Sequence, residues 1–275
     1  MDRLKRNERL ALLTQMLTSA PNRVHTLSHF CEQLGAAKST LSEDIDILRE
    51  VYSQFGLGEV ETITGAAGGV RYRPGMKREQ AREFLDNLCA ELQNPGRLLP
   101  GGFLYLSDIL SMPEIVRQMG VIIAGEFYDA APDFVLTMET KGIPVALMTA
   151  QSLGVPLVIA RRSSKVYEGS TVNINYISGS AGHIETMSLS RRAVKEGQRT
   201  LIVDDFLKAG GTAKGMIDLM GEFNVEVVGT AFVMSKNGQP GKLIQGEKAL
   251  MTMDYDGTDA SSLQIRPAEW LNFPR

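Results

Sequence analysis

The stretch Leu201-Ile202-Val203-Asp204-Asp205-Phe206-Leu207-Lys208-Ala209-Gly210-Gly211-Thr212 sets a buried strand against two acids, a glycine turn and a helix opening near Thr212. An apolar run that ends in polar residues suits the carboxyl end of a parallel strand, where α/β sheets bind ligands. Gly210 and Gly211 let the backbone approach a ligand closely and leave amide N–H groups to point at it. Thr212 suits the cap of the following helix, whose positive end favours a phosphate. Asp204 and Asp205 can accept hydrogen bonds from sugar hydroxyls or hold a hydrated cation. These parts together suit a ribose phosphate. A plain strand-turn-helix with two solvated acids is the competing reading of a bare Asp-Asp…Gly-Gly pattern.

Here the pattern is longer, because an apolar-periodic helix carrying Met216, Leu219 and Met220 follows the Gly-Gly-Thr. The full pattern resembles the phosphoribosyl-pyrophosphate (PRPP) motif of type I phosphoribosyltransferases. That resemblance implies a ligand set of Asp204, Asp205, Phe206, Leu207, Lys208, Ala209, Gly210, Gly211 and Thr212. The usual motif has Thr or Ala and then Thr before the Gly-Gly-Thr, where this chain has Lys208 and Ala209. The departure adds a cation, loses a hydroxyl and puts conventional catalysis in doubt.

Strands and helices alternate upstream of this motif. Phe134-Val135-Leu136-Thr137-Met138 and Leu157-Val158-Ile159-Ala160 read as strands, with a helix from about Ile143 between them. Such alternation implies a parallel sheet. Glu139-Thr140-Lys141-Gly142-Ile143-Pro144 lies at a strand end before a helix. With its cation and glycine it suits a pyrophosphate, although a plain βα turn gives the same pattern. Its place ahead of the Asp-Asp motif resembles the pyrophosphate loop of phosphoribosyltransferases, and it adds Thr140, Lys141 and Gly142 to the candidate ligand set, with Arg161 beyond the next strand. Phe103 is a candidate to stack on a purine opposite Phe206, with core packing as the alternative for both. Residues 161–190 contain alternating segments around Gly179, Ser180 and Gly182. They read as a hairpin matching the mobile loop that covers the ligand in that family, or as a surface excursion without a ligand role. Strands are also expected at 225–233, 249–253 and 263–265.

The first ~70 residues differ in character. Leu4, Leu10, Leu13, Met16 and Leu17 recur at helical spacing up to Pro21. A second helix fits residues 26–34, with Thr26 or Ser28 at its cap and Gly35 at its end. A third opens at Lys38 or Ser39, with Leu41, Ile45, Leu48 and Tyr52 as its buried stripe. Then come Val60-Glu61-Thr62-Ile63, the glycine-rich Gly65-Ala66-Ala67-Gly68-Gly69, and Val70-Arg71-Tyr72-Arg73, a hairpin with a glycine-rich tip. Three helices and a hairpin form the order of a winged helix. Lys38, Ser39, Thr40 and Ser42 sit where a recognition helix presents its first turn, Arg71 and Arg73 flank the wing, and Arg6 belongs to a basic first helix. Glu43, Asp44 and Asp46 repel phosphates and should face away.

The 275 residues allow one large or two medium domains, and 43% hydrophobic content suffices for a full core. No ~18-residue apolar run or signal peptide is seen, which points to a soluble cytoplasmic protein without membrane partners. Two cysteines, Cys31 and Cys89, argue against a disulfide framework or a zinc site. His25, His29 and His183 form no metal-ligand pattern, although His25 and His29 fit one helix face. A net charge of −3 argues against a general polyanion trap but leaves a local basic face open.

Almost the whole chain resembles the purine operon repressors of Gram-positive bacteria. Further family-like stretches are Gly65-Ala66-Ala67-Gly68-Gly69-Val70, Leu99-Pro100-Gly101-Gly102 and Glu168-Gly169-Ser170-Thr171-Val172. The fold expected is α/β: an N-terminal winged helix-turn-helix domain over residues 1–74, then a parallel-sheet type I phosphoribosyltransferase-like domain over 75–275. The resemblance implies a homodimeric regulator that binds double-stranded operator DNA and senses PRPP without consuming it. No cofactor is required on this reading; Mg²⁺ and a competing guanine nucleotide alarmone fit the same pocket. An active purine phosphoribosyltransferase with an appended nucleic-acid-binding domain is the alternative, and an RNA-binding attenuation protein a third reading.

Overall fold

Hydrophobic period and turn chemistry fix the N-terminal unit. The computed structural model describes residues 4–65, 68–100, 102–163, 169–178, 183–238 and 241–272. Ala66, Ala67, Gly101, Glu168, Gly179, Ser180, Gly182, Pro240 and the Pro274-Arg275 tail lie outside the described residues. The chain folds into two compact units that part between Lys77 and Arg78.

The first unit has helices α1 (Arg6–Ser19), α2 (Leu27–Leu34) and α3 (Lys38–Phe55), then strands β1 (Gly58–Ile63) and β2 (Gly69–Pro74). The Thr26 hydroxyl caps α2 by accepting from the His29 amide at 3.2 Å. Gly35, at φ 61°, ends α2 in the left-handed conformation that glycine adopts without strain. β1 and β2 pair antiparallel, with Glu61 opposite Arg71. His25 lies before α2 and bridges Val70 on β2, so it does not share a helix face with His29. Leu13, Leu17, Phe30, Leu41, Ile45, Leu48, Tyr52, Val60, Val70 and Tyr72 form one core. The helix stripe and the inward face of the hairpin thus close on each other.

The second unit opens with α4 (Arg78–Leu92), the short pair β3 (Leu98–Leu99) and β4 (Phe103–Leu104), and α5 (Pro113–Phe127). Then follow β5 (Phe134–Met138), α6 (Ile143–Leu153), β6 (Leu157–Ala160), β7 (Thr171–Ile177) and β8 (Ile184–Ser190). The chain continues through β9 (Arg199–Leu207), α7 (Gly211–Glu222), β10 (Glu226–Lys236), β11 (Lys248–Asp254) and β12 (Gln264–Pro267). The sheet runs β12-β11-β10-β9-β5-β6. It is mixed rather than wholly parallel, because β12 returns antiparallel on β11. The return covers an edge of the sheet with a short strand, which limits unpaired backbone.

Strand order reverses between β5 and β9: β6 lies outside β5, while β10 and β11 continue on the other side of β9. At such a switch point the strand ends splay and leave a crevice for ligand. α7 packs over β5, β9 and β10. α5 docks on β10, where a Cβ on Gly229 would lie 2.3 Å from the Phe127 ring. No helix among the described residues is long and apolar enough to cross a membrane.

The 161–190 region forms the expected hairpin, β7 and β8, with Asn173 opposite Ser188. Its inward residues Val172, Tyr176, Met187 and Leu189 join Met216, Leu219 and Met220 of α7 in a single core cluster. These strands are therefore structural, fixed to the helix that follows the glycine turn.

Candidate effector pocket and nucleic-acid interface

The glycine turn takes its shape from a strand longer than its apolar run suggests. β9 continues through Asp204, Asp205 and Phe206 to Leu207, so both acids lie inside the strand. Ladder bonds to β10 hold this end, with Asp204 opposite Phe232 and Phe206 opposite Met234. Gly210, not Thr212, is the N-cap of α7, and its φ of 86° requires a residue without a Cβ clash. Thr212 is the second helical residue. The expected hydroxyl cap is thereby corrected: the left-handed turn replaces it, and the Thr212 hydroxyl is left for other partners.

A cavity of about 590 Å³ opens at this point. Asp204, Asp205, Phe206, Leu207, Lys208, Ala209, Gly210, Gly211 and Thr212 all line it, together with Lys141 and Phe103. Eleven of the fourteen expected ligand residues thus surround one space. Thr140, Gly142 and Arg161 do not line it. Gly142 nevertheless touches the acid pair: a Cβ there would lie 2.1 Å from Asp204 Oδ1 and 2.7 Å from Thr137 Oγ1. The loop after β5 and the acids of β9 can meet only because residue 142 is glycine. The Glu139–Thr140 peptide within that loop is cis. Arg161 turns away, bridging Ser188 of β8 through its backbone and placing Nη1 3.7 Å from Glu139 Oε2. None of the described residues of the hairpin lines the cavity.

Charge in the pocket is uneven. Burial raises the Asp204 carboxyl well above its usual range, and the Asp205 charge beside it raises it further. Burial raises Asp205 as well, against the pull of Lys141. The Asp205 amide donates to Asp204 Oδ1 at 2.9 Å, which orients that carboxylate. Lys208 holds Nζ 5.7 Å from the centre of the exposed Phe103 ring. Two buried acids, the glycine turn, lysines and phenylalanines thus line one cavity. Among the described residues no group of three or more His, Cys, Asp or Glu side chains is placed to hold a metal ion.

Sequence reasoning missed Lys236 and Phe232, which line the same cavity from β10. Their signal is faint: the apolar run of β10 turns polar at Ser235-Lys236, level with Leu207 in the neighbouring parallel strand. Leu99, Leu104 and Leu106 supply the apolar wall beside Phe103.

Phe103 and Phe206 both line the cavity, and their rings would suit a ligand that carries a base. Stacking on an aromatic side chain is worth ~1–3 kcal/mol per base. Phe206→Ala is expected to weaken binding of a guanine nucleotide by more than it weakens PRPP, measured by calorimetry on both ligands. Equal losses would reduce Phe206 to a support for the fold.

In the first unit Lys38, Ser39 and Ser42 are exposed in the first turn of α3, with Thr40 half-buried. The Ser42 hydroxyl donates to the Lys38 carbonyl at 3.0 Å. Lys38 forms no ion pair among the described residues, whereas the other candidate cations are held. Arg6 bridges Glu43 at 2.9 Å and Asp44 at 3.1 Å. Arg71 and Arg73 both turn onto Glu61, at 2.6 and 3.3 Å. Of the acids expected to face away, Asp44 is buried against the arginines, while Glu43 and Asp46 remain exposed although each pairs with an arginine. Each phosphate contact adds roughly one unit to the salt slope of DNA binding. Lys38→Ala is expected to flatten that slope by about one. Arg71→Ala is expected to flatten it by less, since Glu61 already shares its charge. Fluorescence anisotropy over a salt series checks both, and an unchanged slope and affinity in Lys38→Ala would remove it from the interface.

Comparison with known proteins follows the same division. A family described as "Bacterial purine repressor, N-terminal" matches residues 5–74. A second, "Phosphoribosyl transferase domain", matches residues 106–262. The adenine phosphoribosyltransferase structure from Rhodothermus marinus aligns with a TM-score of 0.52 at 25% identity, covering 62% of this chain and 96% of that one. The "Purine biosynthesis transcriptional repressor PurR" of Bacillus subtilis is 43% identical over 98% of this chain and 95% of its own. The "Purine biosynthesis transcriptional activator PurR" of Lactococcus lactis is 42% identical over 91% of this chain and 93% of its own. A repressor-type DNA-binding domain joined to a phosphoribosyltransferase fold is the architecture of a transcriptional regulator. The chain belongs to the PurR family of purine biosynthesis regulators.

Proposed function

We propose that this chain is a sequence-specific, homodimeric DNA-binding repressor of purine biosynthesis genes, whose DNA binding is modulated by PRPP held at a catalytically silent phosphoribosyltransferase site. The observation that carries the reading is the packing of Gly142 against Asp204 Oδ1. It sets the Thr140-Lys141-Gly142 loop beside the Asp-Asp strand end and the Gly210–Thr212 turn. A pyrophosphate, a ribose and a phosphate each find a matching group: a lysine and backbone turn, two carboxylates, and a helix N-terminus. Mg²⁺ on the pyrophosphate would be compatible with the neighbouring acids. Silence is supported by Lys208 and Ala209, which stand where the enzyme motif has a hydroxyl before the Gly-Gly-Thr.

An operator-DNA titration with and without PRPP, at fixed salt and Mg²⁺, tests the reading. PRPP is expected to weaken retention of DNA from upstream of purine genes. Pyrophosphate release from PRPP and a purine base would instead establish the enzyme reading, which the retained Asp-Asp and Gly-Gly-Thr favour. Retention of single-stranded RNA but not duplex DNA would overturn the DNA-binding part.

A further inference from the structure

The apolar wall of the cavity stands on a strand pair with little packing of its own. β3 and β4 bring Leu99, Phe103 and Leu104 to the cavity, with Leu99 opposite Phe103. Leu99 and Phe103 remain 44% and 51% exposed, so burial does not fix the outer end of the pair. The inner end is held. Arg97, just before β3, grips Asp108 with two hydrogen bonds of 2.9 Å and Glu91 with one of 2.7 Å. The Tyr105 amide closes the base by donating to the Arg97 carbonyl at 2.8 Å.

The outer end meets a side chain from a distant segment. A Cβ on Gly102, whose φ is 74°, would lie 3.0 Å from Tyr255 Cε1 and 3.4 Å from Cδ1. The backbone of the pair therefore rests on the tyrosine ring. Lys236 of β10, itself a cavity residue, places Nζ 5.7 Å from the centre of the same ring. Tyr255 is seated from both sides of the chain. Before it, the Asn237 amide donates to the Met253 carbonyl at 2.9 Å, and the Asn237 side chain to Asp254 Oδ2 at 3.2 Å. After it, Asp256 Oδ1 accepts from the Thr258 amide at 2.8 Å and from its hydroxyl at 2.9 Å, closing a turn.

We propose that Tyr255 is a positioning residue for the base-binding wall, tying the β3–β4 pair to Lys236 of β10 and so fixing where Phe103 stands. This rests on the reading of the cavity as the effector site. Gly102 and Phe103 are adjacent, so a ring that fixes the backbone of one sets the backbone of the other. A cation over an aromatic face is attracted by the ring quadrupole without using up an N–H donor. The Lys236 charge is thus kept for a ligand, where an ion pair with a carboxylate would cancel it. A base stacks at full strength only on a ring already in place; a loose strand pair has to be ordered by the ligand, at a cost in affinity. On the same reading the phosphate and ribose meet the glycine turn and the acids, which lie on other segments and do not draw on the β3–β4 pair.

The plain alternative is that Tyr255 only fills space at the end of β11. GMP and ribose 5-phosphate differ by the base, so the ratio of their affinities isolates the contribution of the wall. Calorimetry with both ligands on the full chain separates the two readings. Tyr255→Leu is expected to weaken GMP ~3–10-fold, a fraction of what one stacked base supplies, and ribose 5-phosphate by less than about twofold. Tyr255→Phe keeps the ring and should bind both ligands as wild type does. If Tyr255→Leu folds poorly, Gly102→Ala sets a methyl against the ring and should reproduce the GMP-selective loss. Unchanged GMP affinity, equal losses for the two ligands, or a Tyr255→Phe variant as weak as Tyr255→Leu overturns the proposal. So does wild type that holds GMP no more tightly than ribose 5-phosphate. Wild type that binds neither of these nor PRPP overturns the reading of the cavity itself.

Discussion

Asp205→Asn is expected to bind operator DNA as wild type does and to stop answering PRPP. An amide replaces a symmetric acceptor with one oxygen and one donor, so the ribose hydroxyls lose or invert a hydrogen bond. The winged helix, a separate compact unit, keeps its own core of Leu13, Phe30, Leu41, Ile45 and Tyr52. The result in a cell would be repression that purine starvation cannot lift. A PRPP titration of operator binding in both proteins decides it; identical responses would show that the acid pair is not the sensor. A stability effect of opposite sign should accompany the loss. Burial raises both carboxyls in the folded state, and the Asp205 charge raises Asp204 further. A raised folded pKa makes their contribution most favourable below the unfolded value near ~4 and erodes it as pH rises through the folded pKa. Removing one acid should therefore raise the Tm of this unit at neutral pH and flatten that part of its pH profile.

The magnitude of the wild-type response follows from linkage. PRPP is expected to lower DNA affinity, and DNA must then lower PRPP affinity by the same factor, commonly ~5–150-fold. Both ligands are polyanions, and Lys141, Lys208 and Lys236 line the cavity. Lys208 also covers Phe103, so Lys208→Ala removes a cation and uncovers a ring together. A PRPP-dependent rise in transcription at unchanged DNA affinity would mark an activator, the role named for the Lactococcus relative. The repressor reading requires affinity to fall.

What the sequence makes legible is where one residue type has one physical task. Gly35 ends α2, Thr26 caps it, and the Leu41, Ile45, Leu48 and Tyr52 stripe gives α3 its buried face. The Asp-Asp and Gly-Gly-Thr stretch places its cavity because strand end, turn and helix start are adjacent in the chain. Contacts between distant segments are not legible. Nothing local announces that Lys236 of β10 reaches the same space, or that β12 turns antiparallel on β11. Arg161 follows a strand and so reads as a pocket residue, but a backbone bridge to Ser188 directs it elsewhere. Arg6, Arg71 and Arg73 read as free cations because their acids are remote in sequence; Glu61 and Glu43 reach them only after folding. The hairpin resembles a lid by its glycines and serines, while its alternating apolar residues make its strands part of the α7 core.

Asp44→Asn should destabilise the N-terminal unit preferentially, lowering its melting temperature and weakening DNA binding, while leaving PRPP binding in place. Asp44 is fully buried in the middle of α3. It accepts from Arg9 Nε at 2.6 Å and from Arg6 Nε at 3.1 Å, joining α1 to α3. Burial by itself would raise the carboxyl, but the Arg9 and Arg6 guanidiniums outweigh it and hold it below its usual value. A depressed folded pKa gives stability that is present above the unfolded value near ~4 and lost as pH falls through the folded pKa. The N-terminal unit should therefore lose this support in acid below about pH 4. Removing one partner of a buried pair costs about 3 kcal/mol, at the low end of the usual range, since Arg6 can still turn to Glu43 and solvent. That is roughly a 100-fold shift in the folding equilibrium. The paired substitution Arg9→Met with Asp44→Leu should recover much of the loss, because it removes both desolvated charges together. Circular dichroism melts of the three proteins, read beside operator and PRPP affinities, provide the measurement. An Asp44→Asn variant with unchanged melting and unchanged operator affinity would mean that the α1–α3 contact stands on its apolar residues alone.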